Sequence, residues 1–432
     1  MNNWKYEKLS KLCFRIGDGL HGTPEYSEDS DIYFINGNNL KNGKIEINEN
    51  TKKVTSEELS KNFIELNVNT LLLSINGTLG SMAFFNNEKV MLGKSAAYLN
   101  FKTSINKFYY YYFQLPGVQE HFYNVATGST IKNLSLKSIQ DFEVPVPEKN
   151  IWQGISKILS SLDAKIELNN KVNAELEAMT KTLYDYWFVQ FDFPDANGKP
   201  YKTSGGKMVW NEELKREIPE GWEVKRIKDI AETGSGGTPL KSKKEYFENG
   251  TIPWINSGEV NASFIISSKK FITPKGLENS SAKLFKKGTI LMAMYGATAG
   301  QVSLIDIEAS TNQAVCGIMP KDKKLIPYLK FGLHQLYDYL INLSSGSARD
   351  NLSQDKIKEL YFVIPEDELT EKFYKTANSH FKLILKNLKQ NQELASLRDW
   401  LLPMLMNGQI SVGEVENELG MVAENSVEYK KN

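Results

Sequence analysis

The chain has few of the residues that build disulfide networks and metal sites. Its 432 residues include two cysteines, Cys13 and Cys316, and four histidines. The cysteines are far apart, and the histidines, at positions 21, 121, 334 and 380, lack metal-ligand spacing. We therefore expect two free thiols in a reducing compartment and no metal centre.

Net charge and long apolar runs are also missing. Lys plus Arg and Asp plus Glu each total 52, so the formal net charge is zero. Composition alone therefore does not indicate a nucleic-acid binder, although a neutral total can conceal local basic loops. No apolar run approaches membrane-spanning length, and residues 1–11 are polar and charged. We expect a cytoplasmic protein without a signal peptide or a membrane-spanning segment.

Several catalytic motifs are begun but not completed. Gly93-Lys94-Ser95 ends like a P-loop, but Glu88 stands where that loop needs its first glycine. Gly234-Ser-Gly236 starts like a dinucleotide fingerprint, but Pro239 replaces the last glycine. There is no Gly-x-Ser-x-Gly elbow, and no Asn/Asp-Pro-Pro-aromatic motif of the kind that nucleic-acid amino-methyltransferases carry. The acidic run 366–368 is better explained as a helix start than as a nuclease site. We expect no catalysis by this chain.

A long helical stretch, Ile151 to Trp187, recurs 218 residues later in the chain. Its seam residues alternate in steps of four and three, which is the spacing of a coiled coil. Residues 169–176 and 387–394 share five identities in eight positions. Two unrelated core helices could share one seam, but they would rarely share this pattern. The sequence therefore predicts two related long helices, at residues 150–190 and 367–406.

The repeat extends through the remainder of the chain. Trp4 matches Trp222 and Pro147 matches Pro365, both at an offset of 218, while Gly22-Thr23-Pro24 aligns with Gly237-Thr238-Pro239 at 215. The ends of each half therefore stay in register while the loops differ in length. A chain this long also exceeds one hydrophobic core. The sequence predicts similar domains at 1–149 and 221–366, a connector at 191–220 and a flexible tail at 407–432.

The expected fold class is α+β, with two similar domains and two long helices that form an antiparallel coiled coil. An internal repeat permits a pseudo-twofold axis, and such an axis makes the helices antiparallel. If the axis passes near Lys171 and Lys389, Asn169 faces Asn391 and Asn173 faces Asn387. Facing amides can satisfy one another inside an apolar seam. The alternative is that these asparagines face solvent.

Three loops recur at matched places: a Gly-Thr-Pro loop, a glycine-threonine hairpin and a loop before the last element of each half. Glycine permits close approach to phosphate, and hydroxyl and basic groups donate hydrogen bonds to it. Amide and guanidinium groups suit base edges. Any one loop is most simply a polar turn, but three in both halves favour a binding surface. The candidate ligand-binding residues are His21, Thr23, Tyr26, Asn76, Thr78, Lys94, Thr130, Lys132, Thr238, Lys241, Tyr295, Thr298, Gln313, Ser347 and Arg349.

Specific stretches also give the chain a family resemblance. Residues 188–200, which begin Phe-Val-Gln-Phe-Asp-Phe-Pro, and residues 205–222 resemble the central region of type I restriction-modification specificity subunits. The junctions at Pro147 and Pro365 into the long helices resemble that family as well, and the likeness runs from Trp4 to about residue 407. It implies two target recognition domains held apart by antiparallel helices, each reading half of a split sequence in double-stranded DNA.

The resemblance also implies partners. Two modification (methyltransferase) subunits would use S-adenosylmethionine to methylate adenine, and restriction (motor-nuclease) subunits would use ATP and Mg²⁺. This chain would bind no cofactor itself. Both helices would contact modification subunits, with residues 184–188 as a candidate contact and packing within the chain as the alternative. Two other functions stay open: a self-sufficient DNA methyltransferase or nuclease, and a tandem-domain protein–protein scaffold.

Overall fold

The computed structural model describes residues 4–336 and 352–417, which fall into two compact units. The first unit comprises Met1–Lys165 and Glu393–Asn432, and the second comprises Ile166–Gln392. Both boundaries lie inside long helices, Lys149–Tyr184 and Asp367–Asn407. Each unit therefore consists of one α+β domain and a segment of both long helices.

Short strands and helices make up the domain of the first unit. A four-stranded antiparallel sheet has the order β2-β10-β7-β8, and a second sheet has the order β6-β3-β9 with β3 and β9 parallel. The first strand, β1, pairs with the last, β11. The strands are β1 (Lys5–Lys8), β2 (Cys13–Asp18), β3 (Ile32–Ile35), β4 (Leu40–Lys41), β5 (Lys44–Ile45), β6 (Lys53–Val54), β7 (Thr70–Ser74), β8 (Met82–Phe84), β9 (Val90–Leu92), β10 (Ala96–Phe101) and β11 (Glu143–Val146). The short helices are Leu9–Leu12, Ser56–Lys61, Asn106–Tyr112, Pro116–Val125 and Leu136–Asp141.

An aromatic helix, Asn106–Tyr112, connects this domain to the long helices of its unit. Tyr109 is fully buried, stacks on Phe101 and donates a hydrogen bond to the Pro145 carbonyl at 3.0 Å. The Tyr111 hydroxyl donates to Asp163 on the first long helix at 2.6 Å. Arg398, on the second long helix, binds the other oxygen of Asp163 at 2.7 Å. Asp163 therefore holds the domain and both helix segments together within the first unit.

The domain of the second unit repeats this topology. The order β15-β23-β20-β21 corresponds to β2-β10-β7-β8, the parallel pair β16–β22 to β3–β9, and β14–β24 to β1–β11. The strands are β12 (Met208–Asn211), β13 (Arg216–Pro219), β14 (Glu223–Arg226), β15 (Ala231–Ser235), β16 (Ile252–Ile255), β17 (Phe264–Ile265), β18 (Phe271–Ile272), β19 (Leu284–Phe285), β20 (Ile290–Ala293), β21 (Val302–Ile305), β22 (Ala309–Thr311), β23 (Val315–Pro320) and β24 (Tyr361–Ile364). The short helices are Ile227–Ile230, Pro274–Glu278, Leu325–Gln335 and Gln354–Lys358. The prediction of two similar α+β domains is confirmed.

The long helices run antiparallel within the second unit. Asn169 Nδ2 donates to Asn391 Oδ1 at 2.8 Å, and Asn387 Nδ2 donates to Asn173 Oδ1 at 2.9 Å. Further along, the Thr180 hydroxyl lies 2.8 Å from His380 Nδ1. Both predicted asparagine pairs are confirmed. The first helix continues beyond Tyr184 as a π-helical turn, Asp185–Val189.

The asparagine pairs lead to a test of stability. Asn173 and Asn387 are buried, and Asn173 Nδ2 has no partner among the described residues. Replacing Asn387 alone with leucine should destabilise the second unit by about 1–3 kcal/mol, because Asn173 then loses its remaining amide partner. Replacing both with leucine should be neutral or stabilising. Denaturant unfolding of the full chain measures both, and equal losses in the single and double variants would contradict the pairing.

Three peripheral segments differ from or refine the sequence expectations. In the expected tail, residues 408–417 pack on the first unit, where Val415 is buried, Val412 lies against Gly154 and Glu416 pairs with Lys157 at 3.3 Å. The rest of that tail, 418–432, lies outside the described residues. The connector contains the hairpin β12–β13. Within the aromatic run 184–188, Tyr184 and Phe188 are buried in the second unit's core, which favours packing over docking for these two rings.

Candidate nucleic-acid interface

The Gly-Thr-Pro loop of the first unit begins against the turn that follows β9. The Leu20 backbone N–H donates to the Leu92 carbonyl at 2.8 Å, and Gly93 N–H donates to Ile35 at the end of β3 at 2.8 Å. A Cβ on Gly19 would lie 2.0 Å from the Leu92 carbonyl oxygen, so only glycine permits this approach. The loop is therefore fixed at the carboxyl ends of the parallel strands β3 and β9.

The glycine-threonine hairpin joins the same cluster through hydroxyl groups. The Thr78 hydroxyl donates to the Gly37 carbonyl at 2.8 Å. The Gly37 N–H donates to Ser95 Oγ at 2.9 Å, and Ser95 in turn donates to Asn36 Oδ1 at 2.9 Å. This network connects residues after β3, β7 and β9. Lys94 is exposed on the turn after β9, and both of its neighbours in the chain are hydrogen-bonded, so the turn is held in place.

The third predicted loop reaches the cluster from the other end of the hairpin. Asn76 and Asn133 form an isolated antiparallel bridge, and the Leu134 N–H donates to the Ile75 carbonyl at 2.9 Å. Thr130 is exposed, and Lys132 Nζ lies 5.0 Å from the centre of the Tyr123 ring. All three predicted loops of the first unit thus meet in one region.

The Gly-Thr-Pro loop presents polar and aromatic groups at this surface. His21 and Thr23 are exposed, and His21 Nε2 lies 2.8 Å from Asp18. Tyr26 is 41 % exposed, its ring packs edge-on against Phe34, and it lies under the Lys52 ammonium at 4.3 Å. These groups offer hydrogen-bond donors, acceptors and a stacking face to a ligand.

The second unit builds the equivalent cluster. The Thr298 hydroxyl donates to the Ser257 carbonyl at 2.9 Å, which is the counterpart of the bond from Thr78 to Gly37. The Thr238 hydroxyl donates to Gln313 Oε1 at 2.5 Å and joins the Gly-Thr-Pro loop to the turn after β22. Lys241 is exposed beside this loop. Tyr295 differs from the other candidates because its ring packs partly against the core.

Backbone contacts correct the register that the sequence suggests for the Gly-Thr-Pro loops. Gly237 N–H donates to the Thr311 carbonyl at 2.9 Å, as Leu20 does to Leu92. A Cβ on Gly236 would lie 2.2 Å from that same carbonyl, so Gly236 corresponds to Gly19. The alignment of Gly22 with Gly237 is therefore wrong by two residues. That alignment matched the identical Gly-Thr-Pro sequences. The position that requires glycine is instead decided by the close approach of the loop to the neighbouring strand.

The turns after β9 and β22 are equivalent in their hydrogen bonds. Gly93 N–H donates to Ile35 and Asn312 N–H donates to Ile255, at 2.8 and 3.0 Å. Lys94 and Gln313 consequently occupy the same position in the two units, and both are exposed. One position thus carries an ammonium in the first unit and an amide in the second, which suits the reading of different ligands.

Two loop residues that the sequence candidates omit organise these clusters. Asn36 and Asn256 each begin a short 3₁₀ turn, and their backbone N–H groups bond the side chains of Asn39 and Glu259. The matching Ile-Asn pairs at an offset of 220 were the available sequence signal. Ser347 and Arg349 lie outside the described residues, so the third loop of the second unit has no structural account.

The described residues contain no group of three or more His, Cys, Asp or Glu side chains that could hold a metal. Cys13 and Cys316 are free and buried, and burial raises the pKa of each thiol to about 12. Thiols with such pKa values are poor nucleophiles near neutral pH. Within the described part of the chain, no helix combines the length and apolar character needed to span a membrane.

Comparison with known proteins gives a consistent family assignment. The profile of the type I restriction modification DNA specificity domain matches twice, at residues 1–178 and 219–396. The specificity subunit of the type I restriction enzyme MjaIX from Methanocaldococcus jannaschii is 28% identical over 315 residues, covering 72% of this chain and 70% of that protein. The HindI specificity subunit from Haemophilus influenzae is 27% identical over 345 residues, covering 67% and 74%.

A solved structure shares the fold across both units. The crystal structure of a type I restriction-modification S subunit from M. genitalium aligns with a TM-score of 0.59 at 18% identity. The alignment covers 94% of this chain and 97% of that one. The tandem arrangement of two similar domains is therefore common to both proteins.

Proposed function

This chain belongs to the type I restriction modification DNA specificity domain family, and we propose that it is the DNA-reading subunit of a type I restriction-modification complex. The observation that carries the proposal is the duplicated loop cluster, in which Thr78 and Thr298 make the same hydrogen bond in the two units. Two copies of one surface with different exposed side chains suit a target with two different halves. Contacts to the DNA phosphates would position the chain, and loop side chains would read bases.

We propose that the partners are modification and restriction subunits. The duplicated units and helices support two modification subunits per chain, because two equivalent surfaces offer two equivalent docking places. A complex that saturates with one modification subunit, measured by native mass spectrometry, would contradict this stoichiometry.

DNA binding separates this function from that of a protein–protein scaffold. The full chain assembled with its modification subunits should select one bipartite sequence from a randomised duplex library. It should shift that duplex in a gel in the presence of excess random competitor. Equal competition by random duplex would contradict sequence reading.

We further predict that the chain binds no S-adenosylmethionine and hydrolyses no ATP by itself. For ATP, the motivation is that the glycine-rich motifs around Gly93 and Gly234 each lack a glycine that phosphate binding needs. For S-adenosylmethionine, it is that the sequence has no Asn/Asp-Pro-Pro-aromatic motif of an amino-methyltransferase. The partner subunits would bind and use S-adenosylmethionine, ATP and Mg²⁺. Titration calorimetry of the purified chain should show no heat of binding. Stoichiometric S-adenosylmethionine binding would instead support a self-sufficient methyltransferase.

A further inference from the structure

The two domains carry a lysine at one equivalent place beside the Gly-Thr-Pro loop. The Lys52 carbonyl accepts the backbone N–H of Phe34 on β3, and the Lys270 carbonyl accepts that of Trp254 on β16, both at 2.8 Å. Each lysine directly precedes the strand that pairs with β3 or β16, which is β6 in the first domain and β18 in the second. These hydrogen bonds make Lys52 and Lys270 equivalent in the two domains, and both residues are exposed.

The aromatic residue that fixes each lysine also holds the neighbouring loop. The Phe34 ring packs edge-on against Tyr26 of the first loop. The Trp254 indole N–H donates to the Gly237 carbonyl of the second loop at 3.0 Å. One aromatic residue in each domain therefore makes two contacts. Its backbone N–H fixes the position of the lysine backbone, and its side chain fixes the position of the candidate reading loop.

Other matched basic residues of the repeat already have internal partners. Lys8 pairs with Asp141 as Arg226 pairs with Glu359, at 2.8 and 2.6 Å. Lys102 Nζ donates to the Lys11 carbonyl at 2.6 Å, as Lys321 Nζ does to its counterpart, the Asp229 carbonyl, at 2.9 Å. These residues stabilise the domains themselves.

The ammonium groups of Lys52 and Lys270 differ from these pairs. Neither contacts a carboxylate among the described residues, and the Lys52 ammonium lies over the Tyr26 ring, 4.3 Å from its centre. Their positive charges are therefore available to an anionic ligand next to the reading loops. Nucleic-acid backbones present such anions at regular spacing, and lysine binds phosphate as a compact point charge.

We propose that Lys52 and Lys270 are matched phosphate contacts that position each domain on the DNA backbone. This assignment rests on the proposed DNA-reading function and gives these lysines a positioning role. A phosphate contact carries no sequence information directly. The lysines therefore set affinity and its salt dependence, while the loops set the sequence.

The test measures DNA affinity of the full chain with its modification subunits against salt concentration. Each of Lys52→Ala and Lys270→Ala should reduce the slope of log affinity against log salt by about 0.9, and the double variant by about twice that. Between 50 and 200 mM salt, the loss of affinity of the original chain should therefore be about 3-fold larger than the loss of each single variant. Lys52→Arg should restore the slope, and the selected sequence should stay the same in all variants.

Matched controls are Lys89→Ala and Lys275→Ala, which remove exposed lysines already paired with Asp31 and Glu245. Their slopes should equal that of the original chain. Unchanged slopes in Lys52→Ala and Lys270→Ala, or a changed target sequence, would overturn the phosphate assignment while leaving DNA reading intact. Absence of sequence-selective binding by the original chain would instead overturn the proposed function.

Discussion

Replacing Glu177 with alanine should destabilise the second unit by about 3–5 kcal/mol, because it leaves a buried ammonium without its counter-ion. Lys330 is 3% exposed, and its Nζ lies 2.9 Å from Glu177 Oε1 and 2.6 Å from Ser263 Oγ. The rings of Phe264 and Phe331 lie 4.8 Å from the same ammonium. Glu177 lies on the first long helix and Lys330 on a domain helix, so this pair connects the domain to the helix within the second unit.

Denaturant unfolding of the full chain should reveal the loss as an earlier transition of the second unit. Glu175→Ala is the matched control, because Glu175 lies two residues away on the same helix and is exposed. The double change Glu177→Leu with Lys330→Met should recover most of the loss, because buried ion pairs are often replaced by apolar residues without cost. A loss below about 1 kcal/mol for Glu177→Ala would contradict the anchoring role.

The same pair predicts a pH dependence. Burial alone would raise the pKa of Glu177, but Lys330 and the hydrogen bonds from Ser263 and Lys330 hold that pKa below its ordinary value of 4.5. The unfolded chain therefore binds this proton more tightly than the folded chain. The contribution of the carboxylate is complete above about pH 4.5 and is lost as pH falls through the folded pKa. The destabilisation by Glu177→Gln should accordingly shrink in acid, and a loss that grows in acid would contradict this.

Exchange of residues 221–366 for the matching segment of another specificity subunit should replace one half of the DNA target completely. The other half should stay unchanged, because the loops of the first unit make their hydrogen bonds within that unit, from Leu20 through Thr78 to Asn133. Both exchange points lie outside strands and helices: Gly221 is in a turn with a φ of +87°, and residue 366 lies between β24 and the second long helix. Selection from randomised duplexes by the assembled complex measures both halves.

The reciprocal exchange of residues 4–147 is the control for that experiment. It should change the half of the target that the exchange of residues 221–366 leaves unchanged, and it should leave the other half intact. Changes in both halves after either exchange would contradict independent reading by the two units. Loss of folding would be visible as loss of complex formation with the modification subunits.

The sequence predicts the helices and their pairing well because their pattern is periodic and repeated. A pseudo-twofold relation between residues 169–176 and 387–394 is enough to derive which asparagines meet. The residues between the domains and after the second helix lack such a pattern. Val415 and Val412 pack through contacts that no local propensity encodes, so the expected flexible tail differs from the structure at 408–417.

The candidate site is predicted at the level of loops and less well at the level of residues. Glycine and hydroxyl residues identify the hairpins that meet, because close backbone approach demands them. Side-chain surroundings depend on contacts distant in sequence, as the partly buried Tyr295 and the network from Asn36 to Ser95 show. The two-residue shift, which makes Leu20 rather than Gly22 the equivalent of Gly237, has the same origin, since the Leu92 carbonyl across the fold requires glycine at position 19.

Genome-wide mapping of modified adenines tests the central claim most directly. Cells that contain the complete system should carry methylated adenine within one bipartite sequence, and deletion of this chain alone should remove that methylation at every such site. Restoring the chain should restore it, and the chain with residues 221–366 exchanged should methylate a target altered in one half only. An unchanged methylation pattern after deletion would contradict the account.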